Sequence, residues 1–330
     1  MESAGDGPGS NRPARAAGAK REPDVPEDED FKTDEFAIPG PEDIAPRPTG
    51  ATVRADFAAA SHPGRVRPNN EDHYLVVRIG RSLGILTTNL PVRGLPALGE
   101  EVGYAMAVAD GMGGMAAGER ASMLALISGI RLVLNSSKWH LRVDEQEARE
   151  LVAQMRLYFQ QVDRMLVAEA EADHSLAGMG TTLTVAYSVG ADAFIVHAGD
   201  SRAYLYRGGR LHQLTHDHTV AQSLADAGMI RPDQVPTHAR RHVLTNYLGG
   251  PPFGVQPECV TLRLADGDRL LLCSDGLTEM IDDPAIADAL GRHADPEAAC
   301  QALVDLALER GGRDNVTVAL ARYAIADAPP

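Results

Sequence analysis

From about residue 51 onward, apolar and polar positions sort into short runs with two periods. Residues 104–109, Tyr-Ala-Met-Ala-Val-Ala, form an apolar run that ends at Asp110-Gly111 and predicts a strand. Met123, Ile127, Ile130 and Leu134 follow at spacings of four, three and four, which predicts a helix burying that stripe. Leu151, Met155, Tyr158, Val162 and Met165 repeat the spacing and predict a second helix over about 144–170. Strand pairs are predicted at 182–188 and 192–198 around Gly190-Ala191, and at 203–206 and 211–214 around Gly208-Gly209. Further strands fall at 258–264 and 269–274, joined by Asp266-Gly267. Asp295 as N-cap, Pro296 at the first helical position and Gly311-Gly312 as a stop bracket another helix, and 315–323 is a last strand. Strands and helices are grouped rather than alternating. That disfavours a doubly wound parallel sheet and favours an α+β fold of packed antiparallel sheets with helices outside.

Composition changes this picture at the N-terminus. Residues 1 to about 50 are rich in Pro, Gly, Ala and charge, with an acidic run at Glu27-Asp28-Glu29-Asp30, and read as a disordered tail. It is either merely solvated or a docking element. The chain of 330 residues, 44% of them hydrophobic, fits one large domain over 51–330 behind that tail. A net charge of -15 argues against nucleic acid as a partner. Cys259, Cys273 and Cys300 are too sparse for a disulfide framework or a zinc site, and Cys273 follows Leu270-Leu271-Leu272 as a core residue. A reducing cytoplasm is the expected setting. Neither a signal peptide nor a run of roughly 18 apolar residues is visible, so no membrane association is expected.

Candidate chemistry lies in acids that end strands. The sequence apolar strand, Asp, Gly occurs at Asp110-Gly111 and again at Asp275-Gly276. A strand end fixes a side chain at a sheet rim, and glycine lets the backbone turn and approach a ligand. Carboxylate and carbonyl oxygens suit Mg²⁺ and Mn²⁺. A single Asp-Gly is more often a plain turn, as expected of Asp266-Gly267. Glu71-Asp72 before a predicted strand and Asp314 before the last one read singly as a solvated turn and a loop acid. Spacing alone does not bring these groups together.

The ordered set resembles the metal-dependent type 2C (PPM) serine/threonine phosphatases, in their bacterial-like branch. The segments are Gly64-Arg65-Val66-Arg67-Pro68-Asn69-Asn70-Glu71-Asp72, Ala109-Asp110-Gly111-Met112-Gly113-Gly114, Gly178-Met179-Gly180-Thr181-Thr182 and Gly199-Asp200-Ser201-Arg202. Leu214-Thr215-His216-Asp217-His218, Leu244-Thr245 with Leu248-Gly249, Ser274-Asp275-Gly276-Leu277 and Asp314-Asn315 follow in the family's order. The resemblance spans nearly all of 51–323 and implies a four-layer α-β-β-α sandwich with two central antiparallel sheets and a dinuclear metal cleft. By motif, Asp110 bridges two ions and Gly111 offers its carbonyl to one, while Asp275 and Asp314 hold the other. Glu71 and Asp72 would be ligands or orienters of bound water. Asp200 would share a third, weaker ion with Asp275, and Arg67 would clamp phosphate. The implied activity is hydrolysis of phosphoserine and phosphothreonine in proteins by a hydroxide that bridges two Mn²⁺ or Mg²⁺ ions. Bound cations would also supply the positive charge that so acidic a chain lacks. The implied partners are phosphorylated proteins, targets of a serine/threonine kinase, met by a monomer.

Two departures from the family pattern stand out. Met112 occupies a position where many members carry a histidine proton donor, which leaves the donor open: metal-bound water is the simplest candidate, and His218 is either a donor or a supporting residue. The connection from Asp72 to Asp110 is long, consistent with a hairpin insertion near 80–103. Residues 219–242 fall where the family has a mobile flap, with Asp226 to Pro232 reading as a helix that ends at glycine. Its basic patch, His238, Arg240, Arg241 and His242, is either a solvated loop or a contact for phosphopeptide substrate. Two other readings remain: a pseudophosphatase that only binds, and a hydrolase of small phosphorylated metabolites.

Overall fold

The computed structural model describes residues 52–82, 87, 101–113, 117–250 and 253–326. The tail expected over 1–50, and most of the insertion expected near 80–103, lie outside the described residues. In chain order the elements begin with β1 (Thr52–His62), β2 (Asp72–Arg81), β3 (Glu101–Met112), α1 (Ala117–Leu134), α2 (Glu145–Ala172) and β4 (Gly180–Thr181). Then come β5 (Leu183–Val189), β6 (Asp192–Ala198), β7 (Arg202–Arg207), β8 (Arg210–Gln213) and α3 (Val220–Asp226). The chain closes with β9 (Glu258–Arg263), β10 (Arg269–Cys273), α4 (Asp275–Thr278), α5 (Asp283–Arg292), α6 (Pro296–Glu309) and β11 (Val316–Ala326).

Two antiparallel sheets result. One has the order β1-β11-β10-β7-β8, the other β2-β3-β5-β6-β9, with β4 paired to the end of β3. Period-two alternation stacks them. Met106 and Val108 of β3 and Ile195 of β6 meet Leu270 and Leu272 of β10 and Ala319 and Ala321 of β11 between the sheets. The alternate positions face outward. Ala107, Leu183 and Phe194 pack under α1 and α2, while Leu271, Cys273, Val318 and Leu320 pack under α5 and α6. The α-β-β-α sandwich is therefore four layers around three apolar seams. Leu270, Leu271 and Leu272 are all fully buried, and each stabilises the fold by roughly 1.5–3 kcal/mol relative to exposure.

Several expectations need correction. The stripe expected to bury α1 does not: Ile127 and Leu134 are exposed, and the buried face is Ala117, Gly118, Ala121, Ser122, Ala125 and Leu126. These small residues share the same three-four spacing, and only they permit the approach seen. A Cβ on Gly111 of β3 would run into the Gly118 carbonyl. In α2, Leu151, Met155 and Val162 are buried as expected, but Met165 is exposed and Phe159 and Leu166 take the core positions. Asp144 caps that helix and forms a capping box with Glu147. Asp110-Gly111 is not a turn after a strand; β3 continues through Met112, with Gly111 opposite Thr181. The strands joined by Asp266-Gly267 belong to different sheets, because β9 pairs with β6 and β10 with β7 and β11. The helix read as ending at Gly228 runs from Val220 to Asp226, capped by Thr219. Asp295 and Pro296 start α6 as expected.

Candidate functional site

The carboxylates singled out above arrive at one edge of the sandwich because five element ends meet there. Asp72 opens β2 and lies directly opposite Asp110 near the end of β3. In the other sheet, β10 and β11 are antiparallel neighbours with Cys273 opposite Val318. Asp275 follows the end of β10, and Asp314 precedes the start of β11. Asp200 sits between β6 and β7, where the chain crosses from one sheet to the other.

Neutral side chains hold these acids in place. The Ser274 hydroxyl donates to Asp72 Oδ2 at 2.7 Å and accepts the Thr317 N–H at 3.0 Å. Asp110 N–H donates to Thr182 Oγ1 at 3.0 Å, and Thr181 Oγ1 donates to the Asp110 carbonyl at 2.9 Å. Asn315 accepts the Glu71 N–H at 2.7 Å and donates to the carbonyls of Pro63 and Asn69, which fastens the Arg67–Glu71 loop beside Asp314. Gly276 is needed here for the same reason as Gly111: a Cβ would collide with the Asn315 carbonyl.

The electrostatics of the cluster are unfavourable as it stands. Burial, followed by repulsion from Asp72, Asp275, Asp200 and Asp314, pushes the Asp110 carboxyl well above the usual carboxylate range. Burial and the charges of Asp200, Glu279, Asp314 and Asp72 do the same to Asp275. Burial raises Asp72 to about 6 against the lowering effect of its Ser274 hydrogen bond. Burial and Asp217 raise Asp200 to about 7. Burial raises Glu71, opposed by Arg67. Asp72 Oδ1 is buried with no hydrogen-bond partner. Crowded, partly buried acids that repel one another and leave a lone pair unused are what a cation would satisfy. The all-oxygen donor set and the glycine cradle at Gly111 and Gly118 fit Mn²⁺ or Mg²⁺.

Arg67 stands at the rim, its side chain 55% exposed and its Nη2 2.6 Å from Asp314 Oδ2. Of the basic patch, His242 and Arg241 reach Glu279, with His242 Nδ1 at 2.7 Å and Arg241 Nε at 3.9 Å from Oε1. His238 turns back on its own segment, its Nδ1 accepting the Arg240 N–H at 3.1 Å, and Arg240 is exposed. His218 accepts the Gly199 N–H at 3.1 Å, is hydrogen-bonded to Asn246 and stacks on His197, which is the supporting role. Burial pushes the Cys273 and Cys300 thiols up to about 12, far from the thiolate a cysteine nucleophile needs.

Comparison with known proteins agrees with this geometry. A family profile described as Protein phosphatase 2C matches residues 98–309. The chain belongs to the protein phosphatase 2C family. It is 38% identical over 270 residues to the serine/threonine protein phosphatase PstP of Mycobacterium tuberculosis, covering 82% of this chain and 45% of that protein. The chain thus spans under half the length of that relative. Protein phosphatase PhpP of Streptococcus pneumoniae is 34% identical over 261 residues, 78% of this chain and 93% of PhpP. Among solved structures, the catalytic domain of PstP in complex with two manganese ions superposes with a TM-score of 0.64 at 33% identity, covering 83% of this chain and 100% of that one. A Streptococcus agalactiae serine/threonine phosphatase superposes at 0.67 with 27% identity, covering 81% and 99%.

Sequence reasoning about this phosphatase 2C chain passed over Ser274, Thr182 and Asn315 as chemical participants, although each sits inside a quoted motif. Their signal was adjacency: a hydroxyl or amide next to a strand-end acid is placed to orient it. Glu279 had no such signal, since it joins the site only because α4 turns it back beside Asp275. Among the described residues, no helix is long and apolar enough to cross a membrane.

Proposed function

We propose that this chain hydrolyses phosphoserine and phosphothreonine in proteins, using two divalent cations held by the carboxylate cleft. The observation that carries the reading is the cluster itself: mutually repelling acids from both sheets, Asp72 buried and the others half-buried, with Asp72 Oδ1 unpartnered. Asp72, Asp110, Asp275 and Asp314 would hold the ions, with the Gly111 carbonyl and Glu71 alongside and Asp200 serving a third. Ions bound there supply Lewis acidity, neutralising phosphoryl oxygens and lowering the pKa of water. Manganese, found in the PstP structure, and magnesium both suit the donors.

The chain's own residues do the rest. Ser274 keeps Asp72 aimed by donating to one oxygen and leaving the other free. Asn315 holds the Arg67 loop, whose guanidinium lies against Asp314. From there the planar Arg67 guanidinium would grip two phosphoryl oxygens as a fork. The exposed segment 219–242, with Arg240, Arg241 and His238, would act as a flap that receives the protein around the phosphorylated residue. The substrate would be a protein phosphorylated by a serine/threonine kinase, met by a cytoplasmic monomer.

Every carboxylate position of the family motif is filled, which disfavours a binding-only pseudophosphatase. The deciding experiment compares hydrolysis of a phosphothreonine peptide with that of sugar phosphates, in Mn²⁺, in Mg²⁺ and in chelator. Peptide turnover that needs metal and exceeds sugar-phosphate turnover is expected. Equal or faster turnover of sugar phosphates would move the reading to a metabolite hydrolase, and turnover unaffected by chelator would end it.

A further inference from the structure

A cavity of about 470 Å³ lies between α1, α2 and the sheet they cover. That volume is in the range of pockets that take small organic ligands. Leu75 and Ala107 of the sheet, Leu126 and Ile130 of α1, and Met155 and Phe159 of α2 give it apolar walls. Gly129 of α1 also lines it, and a Cβ built there would meet nothing within 4 Å. Leu134 and Trp139 line it too and are exposed, so the cavity opens to solvent where α1 ends. One part of the wall is polar, made by Ser136, His140, Gln154 and Tyr158. The hydrogen bonds there fix the protons. The Ser136 hydroxyl donates to the Lys138 carbonyl at 2.8 Å, so its oxygen accepts from Gln154 Nε2 at 2.9 Å. Gln154 Nε2 also donates to the Tyr158 hydroxyl oxygen at 2.6 Å. The Gln154 carboxamide oxygen is thereby turned to His140 Nε2, 3.0 Å away, and accepts from it. With the ring proton on Nε2, Nδ1 of a neutral imidazole is a bare acceptor. His140 is 6% exposed, and its Nδ1 is buried with no hydrogen-bond partner.

We propose that this cavity binds a neutral small molecule with an apolar body and one O–H or N–H donor, the donor meeting His140 Nδ1 and the body lying between α1, α2 and the sheet. The site is separate from the carboxylate cleft and does not depend on the metals.

Three physical points select that ligand class. A buried acceptor with no donor is costly, and a ligand O–H or N–H removes the cost. A carboxylate would set its oxygens against the same lone pair and bury its charge among apolar walls, whereas a molecule with no donor would leave Nδ1 as it stands. Size narrows the class further. An apolar cavity of roughly 150 Å³ holds benzene, so one of about 470 Å³ holds two or three units of that size. An aromatic ring carrying a hydroxyl and a short alkyl chain meets all three conditions.

The test uses the whole chain in chelator at about pH 8, where histidine is ordinarily neutral. The probes share one shape: 4-hexylphenol, its methyl ether and 4-hexylbenzoate. Trp139 is the chain's single tryptophan and lines the cavity, so its fluorescence reports occupancy, and titration calorimetry measures affinity. 4-Hexylphenol should bind with a Kd of about 10–100 µM. The methyl ether should bind roughly tenfold more weakly, and the benzoate roughly a hundredfold. Gly129→Phe should fill the cavity and weaken 4-hexylphenol by roughly tenfold or more, with a melting temperature at or above wild type because a helix-interior glycine is replaced. His140→Phe should bring the phenol down to the affinity of the ether. Should His140→Phe not fold, the probe series on wild type still decides the ligand class. No binding of 4-hexylphenol below about 1 mM, or unchanged binding in folded Gly129→Phe, overturns the site. Equal affinity of phenol and ether, or a benzoate that binds as tightly as the phenol, overturns the ligand class. Neither metal binding nor peptide turnover enters the readout, so failure here leaves the phosphatase reading untouched.

Discussion

Asp163 and Asp72 are both buried carboxylates, 5% and 4% exposed, yet they serve opposite ends. Asp163, on α2, accepts the Gly249 N–H at 2.8 Å on one oxygen and the Val255 N–H at 3.2 Å on the other. It stitches the helix to the 249–255 loop. Asp268 is similar: Arg207 grips both its oxygens and Ala265 donates to one. Asp72 accepts from Ser274 on one oxygen only, and its near neighbours are other acids. Burial of a carboxylate therefore marks nothing by itself. What marks the cleft is bonding capacity left unused among like charges, which a structural acid does not tolerate.

The largest effect that tests this contrast is in the cleft. Asp275→Asn should lower kcat/KM on a phosphothreonine peptide by at least about a thousandfold, on the order of 4 kcal/mol. The same change should raise the melting temperature of the chelated protein, because it removes a charge repelled by Asp200, Glu279, Asp314 and Asp72. Activity within threefold of wild type in saturating Mn²⁺ would sink the assignment. Asp163→Ala should behave in the reverse way. It strands two backbone N–H groups and should lower unfolding free energy by about 2–4 kcal/mol, seen in urea denaturation. The Mn²⁺ affinity of the folded protein should stay unchanged. Loss of metal binding in Asp163→Ala without loss of stability would erase the distinction.

How much of this was legible in the sequence divides along the same line. The strand pairs around Gly190 and Gly208, the α6 boundaries at Asp295 and Gly311, and the strand that ends just before Asp275 could be read because local rules govern them, whereas β3 runs on past Asp110 to Met112. The face of α1 could not. Two stripes with equal spacing competed, and only the approach of Gly118 to Gly111 decides for the small one. The meeting of Asp72 with Asp110 depends on strand register, and that of Asp275 with Asp314 on sheet order. Both are long-range facts that spacing does not carry, and the family resemblance supplied them instead. The contact between Glu279 and His242 lay beyond either source, because it requires the 219–242 segment to fold back onto α4.

Arg67 sharpens the contrast at the rim of the cleft, where its ion pair with Asp314 is half in water. An exposed pair of this kind contributes about 0–1 kcal/mol to stability, so Arg67→Ala should leave the melting temperature nearly unchanged. Its effect belongs to phosphate. Loss of a charge-assisted contact should lower kcat/KM by one to two orders of magnitude, about 1.5–3 kcal/mol. Arg67→Lys should restore only part of this, because an ammonium lacks the planar fork. Calorimetric Mn²⁺ titration separates the roles. Wild-type kcat/KM in Arg67→Ala would remove the phosphate clamp, and joint loss of metal and activity would make the residue a support for Asp314.

The smallest effect is a pH slope, and its sign distinguishes an empty cleft from a filled one. Asp72 has its pKa raised by burial from 3.8 to about 6. The native chain therefore holds a proton there that the unfolded chain has already released between about pH 4 and 6. When the native state binds more protons, stability falls as pH rises, by up to about 1.4 kcal/mol per pH unit for one proton. In chelator, unfolding free energy should fall on the order of 1 kcal/mol per pH unit across that window, and Asp200, raised to about 7, should extend the fall upward. Saturating Mn²⁺ should reverse the slope, because the ions bind the deprotonated carboxylates and bind more tightly as pH rises. Urea denaturation at pH 4.5, 5.5 and 6.5, with and without Mn²⁺, measures both arms. Asp72→Asn should lessen the chelated slope, leaving the share that Asp110, Asp275 and Asp200 contribute. An identical slope in that variant would show that Asp72 takes no part in the pH dependence.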